Sequence, residues 1–349
     1  MEIVRLMRDE QFSDRQFYRE NPLKTDKIAF DIYDFEPWQA LPMHRHPGSD
    51  TILLAVQGSG TMFMRDSVFP LEESEAVYVP ANDAFGILAG ENDMIVITAQ
   101  GPTPLETQYD RGLEYRCPVC DLETPLATGS DSGKETTCPR CNARLRLARE
   151  ADTFKAEEIG RPEFIKAAPD IVEVDVQEEV TAAGTGPGSE MAGGGNGAGE
   201  KETPAKIAFS VYEFQPWQVL PMHRNPGSDT LLYIATGQGI MLLNDEEQSV
   251  DDDTVIYVPA NATYGMIAAD TDMVVVSMQC PTPVEAEVFD GLGYNCPVCD
   301  LGTPVTTNTF DGCVTVCPRC NVKLKLKEEE NGFNAEETTE PAPTEAETI

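Results

Sequence analysis

Eight of the ten cysteines fall in C-x-x-C pairs: Cys117–Cys120, Cys138–Cys141, Cys296–Cys299 and Cys317–Cys320. They form two sets of the pattern C-x₂-C-x₁₇-C-x₂-C. Two tight turns joined by a hairpin-length insert can bring four thiolates into a tetrahedron, the closed geometry of a structural Zn²⁺ site. Two such ions are expected. Redox use of the pairs would need a βαβ surrounding, which neither set has. The chain's three histidines are the second source of chemistry. His44-Arg45-His46 on a strand would aim both imidazoles at one face. Asp50 could complete a two-His-one-carboxylate set for iron or another divalent metal. In the corresponding stretch His223-Arg224-Asn225, one imidazole remains. Arg45 and Arg224 could pair with a ligand's carboxylate or phosphate, or with the nearby Asp50 and Asp229.

These residues sit in an internal repeat. KIAFDIYDFEPWQALPMHRHPGSDT from Lys27 returns as KIAFSVYEFQPWQVLPMHRNPGSDT from Lys206, an offset of 179. The offset holds to the last cysteines and carries Pro80 to Pro259 and Cys117 to Cys296. So long a period makes each copy a domain, and two copies can pack as a pseudo-two-fold pair, as homodimers do. Within each copy TILLAV, AVYVP and MIVITA, with their counterparts, are short β-branched runs punctuated by Gly, Pro, Asn and Asp. That pattern predicts a mainly β fold, sandwich or barrel. A helix is entertained only between Glu10 and Glu20.

The resulting organisation is an N-terminal extension (1–26), a first barrel (27–108), a first four-cysteine module (109–150) and a connecting segment (151–181). A Gly-rich linker (182–203) leads to a second barrel (204–287), a second four-cysteine module (288–327) and an acidic, disordered tail (328–349). In the connecting segment, PDIVEVDVQEEV alternates like a strand and could dock on the first module. Cys280 and Cys313 have no counterparts in the first copy and read as spare thiols.

Sixty acidic residues against 25 basic ones give a formal charge of −35. The tail supplies only a minority of the excess, so the folded body is acidic too. This argues against binding to nucleic acid or anionic membranes. Arg outnumbers Lys, and the composition looks like that of a salt-adapted cytoplasmic proteome; a merely acidic soluble protein is the alternative. The first residues lack a secretion signal's apolar core, and no apolar run reaches the roughly 20 residues of a membrane span. A cytoplasmic location is expected.

The histidine stretch, the glycines at 58 and 237, and the VYVPANDAF and IYVPANATY segments resemble, in order and spacing, the two motifs of the cupin superfamily. The resemblance implies two jelly-roll barrels in tandem. In that family two His, a Glu and a distant His hold a metal inside the barrel. Here the Glu position falls on Thr51, and the distant His position on Phe85 and Tyr264. Copy one keeps His44 and His46, and copy two keeps His223. The interior could instead take a small organic ligand, contacted by Phe85 or Tyr264 with Arg45 or Arg224. The four-cysteine modules resemble zinc ribbons and also rubredoxin, whose iron knuckles usually carry Gly after the second Cys. Asp121, Asn142, Asp300 and Asn321 stand there, which favours zinc.

Three functions are compatible with these residues. One is a non-catalytic ligand-binding or scaffolding protein stapled by zinc. Another is a metal-dependent enzyme, of dioxygenase or isomerase type, working in copy one alone. The third is a regulator that reads nucleic acid or protein through the basic strands ARLRLAR and VKLKLK. Those charges have a simpler use in offsetting the doubly negative metal tetrathiolate.

Overall fold

Short β-branched runs between turn-forming residues fold as strands, and no helix forms among the described residues. None is therefore long and apolar enough to cross a membrane. The computed structural model describes residues 2–5, 17–102, 106–151, 153–160, 206–281, 285–329 and 332–339.

Each copy builds two facing sheets. In copy one the inner sheet runs Tyr18–Lys24, Ala29–Phe35, Met94–Gly101, Asp50–Gln57, Ala76–Val79. The outer sheet runs Gln108–Tyr109, Ala40–Arg45, Phe85–Ala89, Gly60–Met64, Ser67–Leu71. Strand alternation then divides the side chains. Tyr33, Phe35, Leu53 and Val96 fill the space between the sheets. Phe30, Ile32, Ile52, Leu54 and Ile97 point outward from the inner sheet. Copy two repeats the plan from Ala208–Phe214 to Glu287–Val288. Gly58 and Gly237 make equivalent turns that carry the chain from the inner sheet to the outer one, at φ 71° and 91°. A Cβ on either would overlap the carbonyl oxygen of Asp93 or Asp272, so the turn admits no side chain.

The outward-facing residues of the two inner sheets make one core. Ile52, Leu54 and Ile97 share it with Leu231, Tyr233, Val276 and Met278. Lys27 and Lys206, equivalent by the repeat, cross this contact in opposite directions. Lys27 Nζ pairs with Asp229 at 3.0 Å. The Lys206 backbone N–H donates to Asp50 and its Nζ donates to the Gly48 carbonyl. Residues of the two copies therefore share one core and exchange polar contacts across it.

The N-terminal residues tie the pair further. Tyr18–Lys24, partly inside the span considered for a helix, is a strand on the edge of barrel one. Glu2–Arg5 is a strand on the opposite barrel, paired antiparallel with Thr254–Val258. The rest of the suggested helix and the PDIVEVDVQEEV segment lie outside the described residues.

Both four-cysteine modules run past the boundaries drawn from sequence. Thr153–Gly160, read as connecting segment, pairs with Arg144–Glu150 and buries Phe154 and Ala156. Gly332–Glu337, read as disordered tail, pairs with Lys323–Glu329 and buries Ala335. Two alternate apolar residues in an acidic strand are a faint signal, but they suffice where a neighbouring strand is already in place, at the sheet edge in module one and between two strands in module two.

Candidate metal centres

The knuckles form because each second cysteine is followed by a residue that can turn left-handed. Asp121, Asn142, Asp300 and Asn321 have φ of 62°, 57°, 58° and 58°. Asp and Asn tolerate that region at small cost, so they do the work of the glycine found in other knuckles. The Cys117 N–H donates to the Leu122 carbonyl at 2.8 Å and the Asp121 N–H donates to the Cys117 carbonyl at 3.0 Å. The same two bonds recur in the other three knuckles.

The sulfurs converge. Cys117 Sγ lies 3.7 Å from Cys141 Sγ, and Cys120 Sγ lies 3.6 Å from Cys138 Sγ. In copy two, Cys296–Cys320 and Cys299–Cys317 both stand at 3.6 Å. A disulfide would bring two sulfurs to about 2.05 Å. Four thiolates about 2.3 Å from a central Zn²⁺ lie about 3.8 Å apart, which is close to the spacing seen. In each quartet the four sulfurs lie within 4.8 Å of one another. Burial, reinforced by the neighbouring Cys141 and Cys120 thiols, pushes the Cys138 thiol up to about 12. A central cation is what would let such thiols stay deprotonated. The residues present therefore fit a metal ion, and two quartets could hold two.

Each module is fastened to its barrel by one of the chain's two tryptophans. Trp38 and Trp217 adopt φ of 69° and 66°, a strained choice for so large a residue. Trp38 packs into a core that also holds Cys117, Cys138, Leu145 and Phe154. Trp217 packs against the core of Tyr294, Cys296, Cys317 and Leu324. The turn begins with Glu36-Pro37 or Gln215-Pro216, and the Gln39 and Gln218 side chains accept from the residue-36 and residue-215 N–H. Sequence reasoning passed over these tryptophans, although both follow Pro in the most repetitive stretch of the chain.

The barrel interiors present a different picture. His44, His46 and His223 are all buried. Their Nδ1 atoms face the carbonyls of Pro42, Glu106 and Pro221 at 2.9, 3.2 and 2.8 Å. A carbonyl can only accept, so each Nδ1 carries the proton and each Nε2 presents a lone pair. Burial lowers all three imidazoles, His44 to about 4, so they are neutral. His44 is paired across the strands with Phe85, and His223 with Tyr264. The ring centroids are 4.2 and 4.0 Å apart, so an aromatic ring covers each imidazole. In barrel two, Asn225 Nδ2 donates to Thr230 and to the Tyr264 hydroxyl, both at 3.0 Å. In barrel one, His46 Nε2 has no hydrogen-bond partner among the described residues.

Asp50 does not join the histidines. It accepts from the Tyr78 hydroxyl at 2.8 Å and the Ala81 N–H at 2.9 Å, and from Lys206 of the other barrel. Asp229 repeats this with Tyr257, Ala260 and Lys27. Among the described residues, only the two cysteine quartets gather three or more such ligand atoms around one point. The arginines are also engaged, with other partners than Asp50 and Asp229. Arg45 grips Asp110 through two nitrogens at 2.7–3.0 Å. Arg224 Nε donates to Glu287 at 2.7 Å, and its guanidinium lies over Phe289.

No protein-family model and no curated protein matches the chain. Among solved structures, an 11S globulin from Wrightia tinctoria, described as revealing an auxin binding site, superposes with a TM-score of 0.50 at 10% identity. The match covers 83% of this chain and 86% of that one. The fold is a double cupin barrel. An oxalate decarboxylase superposes on this chain with a TM-score of 0.49 at 13% identity, over 82% of this chain and 79% of that one. A cupin 2 conserved barrel domain protein from Leptotrichia buccalis gives 0.46 at 10% identity, over 80% and 96%. At such identities the likeness to the bicupin concerns fold alone.

Proposed function

We propose that this bicupin is a zinc-stapled binding or scaffolding protein whose two metal ions are structural. The observation that carries the reading is the sulfur spacing of 3.6–3.7 Å in both quartets. The quartets leave no open coordination position, which is the mark of a structural ion. Phe85 and Tyr264, lying against His44 and His223, support the non-catalytic part. They occupy the place from which a third ligand would have to come. The interior would then take a small organic molecule, or nothing, while the acidic exterior repels nucleic acid.

Metal analysis of the purified chain tests this. The expected result is about two zinc per chain, falling to about one in Cys117→Ser. A second reading rests on the unpartnered His46 Nε2, which leaves barrel one with two inward imidazole lone pairs. It predicts a third metal, iron or another divalent ion, that is lost in His44→Ala. Finding that third metal would overturn the non-catalytic reading. Zinc unchanged in Cys117→Ser would overturn the staple.

A further inference from the structure

The two copies differ in what lies between module and barrel. On the outer sheet of barrel two, Leu242 is paired across the strands with Glu247, and Ile240 with Ile267. Ile240 and Leu242 are two residues apart, so all four side chains share one face. That face looks across a cavity of about 180 Å³ to module two, where Tyr294 and Thr303 are paired on neighbouring strands. A second cavity of about 290 Å³ adjoins it at Ile240, Ile267 and Pro318. A space of roughly 150 Å³ already holds a benzene-sized guest. In copy one the equivalent barrel positions are Thr61, Phe63, Val68 and Leu88. Phe63 packs there with Tyr115 and Leu122 of module one. Copy two has therefore exchanged a ring for a smaller side chain, and an aliphatic residue for a carboxylate, at the same junction.

The cavity walls are of two kinds. Ile240, Leu242 and Ile267 are aliphatic. Tyr294 and Thr303 are only 4% and 8% exposed. Their hydroxyls lie near each other, yet neither makes a hydrogen bond of good geometry among the described residues. Buried polar groups are seldom left so, because the lost water is then uncompensated. Glu247 stands at the rim, and no described residue pairs with its carboxylate. Partial burial raises it above the usual carboxylate range. No Lys, Arg or His is among the described residues that line either cavity. An anion would meet a carboxylate there and no cation. A protonated amine meets the opposite. Its three N–H donors suit the Glu247 carboxylate and the two hydroxyl oxygens, and a short hydrocarbon chain suits the aliphatic wall. The formal charge of −35 also draws cations to the surface.

We infer that the junction of module two with barrel two binds a small aliphatic primary amine, with Glu247 holding the ammonium and Ile240, Leu242 and Ile267 holding the hydrocarbon. The site belongs to copy two alone, because Val68 supplies no charge and Phe63 takes the space in copy one.

Titration of the full chain with n-butylamine, followed by the methyl resonances of Ile240 and Ile267, tests this. Saturable shifts are expected at both, with Ile87 of barrel one unmoved. Glu247→Gln should weaken binding about tenfold or more, and Tyr294→Phe, which keeps the ring, about fivefold. Leu242→Phe should abolish it by filling the space. Butyrate should not bind, and n-butanol should bind about tenfold more weakly than the amine. The absence of a saturable shift would overturn the inference, as would undiminished affinity in Glu247→Gln or Tyr294→Phe. So would n-butanol binding as tightly as the amine, because the cavity would then select for hydrocarbon and not for charge.

Discussion

Module one and its barrel share a single core, whereas module two and its barrel do not. Met43, Phe63 and Leu88 of barrel one pack with Tyr115, Leu122 and Leu145 of the module. In copy two the corresponding barrel residues Met222, Leu242 and Ile267 form a cluster of their own. The module core of Tyr294, Leu301 and Leu324 is a separate buried cluster, linked to it through the half-buried Leu292. The exchange of Phe63 for Leu242 removes much of the volume that bridges the junction. The interiors diverge in the opposite sense. Barrel two satisfies its polar groups through Asn225, Thr230 and Tyr264, while barrel one leaves His46 Nε2 unpartnered. Copy one is the more tightly coupled unit with the less settled interior. Divergence after duplication has worked separately on the junction and on the pocket.

Loss of metal should expose this difference most strongly. Structural zinc contributes on the order of 10 kcal/mol to small folds of this kind. Cys138→Ser is expected to unfold module one and to lower the melting temperature of barrel one with it. Cys317→Ser should unfold module two and leave barrel two nearly intact. Exchange protection of Phe85–Ala89 and Thr263–Ala268, measured in each variant, decides the point; equal losses in the two barrels would break the comparison. Next in size are the tryptophans. Trp38→Ala should cost about 3 kcal/mol, the low end for a large aromatic, because Trp38 is only partly buried against the module core. Trp217→Ala should cost less, because its indole borders a cavity of about 290 Å³ at the junction. Urea unfolding of the two variants gives both values.

The fold was legible because its signals are local. Short β-branched runs, the glycines at the tight turns and the doubled C-x-x-C spacing each need only neighbouring residues. The functional meaning of Asp50 was not legible. Its partner Lys206 lies 156 residues away, and only packing of the barrels shows that the repeated PGSD stretch is a cross-barrel staple. Arg45 was legible as an ion-pairing residue, but its partner Asp110 directly follows a strand only two residues long. The strand Glu2–Arg5 crosses to the distant barrel, which nothing in a charged N-terminal stretch announces.

The buried histidines set the third effect. His44 titrates at about 4 when folded against an unfolded value near 6.5. Between those values the unfolded chain binds more protons. Stability is therefore complete above pH 6.5, declines as pH falls, and levels off below about 4. At about 1.4 kcal/mol per unit, His44 accounts for a loss of about 3 kcal/mol. The His44→Leu variant should lose that part of the slope in urea titrations at successive pH values, while the metal contribution stays common to both proteins. A slope identical to that of the parent would show that His44 is not buried neutral.

The smallest effect is the most specific to the comparison. If the ring of Phe63 couples module to barrel in copy one, the junctions should be interchangeable by size. Phe63→Leu should cost about 1 kcal/mol, the scale for losing a few buried carbons. It should also reduce the dependence of barrel one on its metal, as read by Phe85–Ala89 exchange in the Cys138→Ser background. Leu242→Phe should fill part of the cavity of about 180 Å³ between module two and barrel two, beside Ile240 and Ile267. Barrel two would then begin to respond to Cys317→Ser. If Leu242→Phe instead left barrel two indifferent to Cys317→Ser, the bulk of the Phe63 ring would not be what couples module to barrel in copy one.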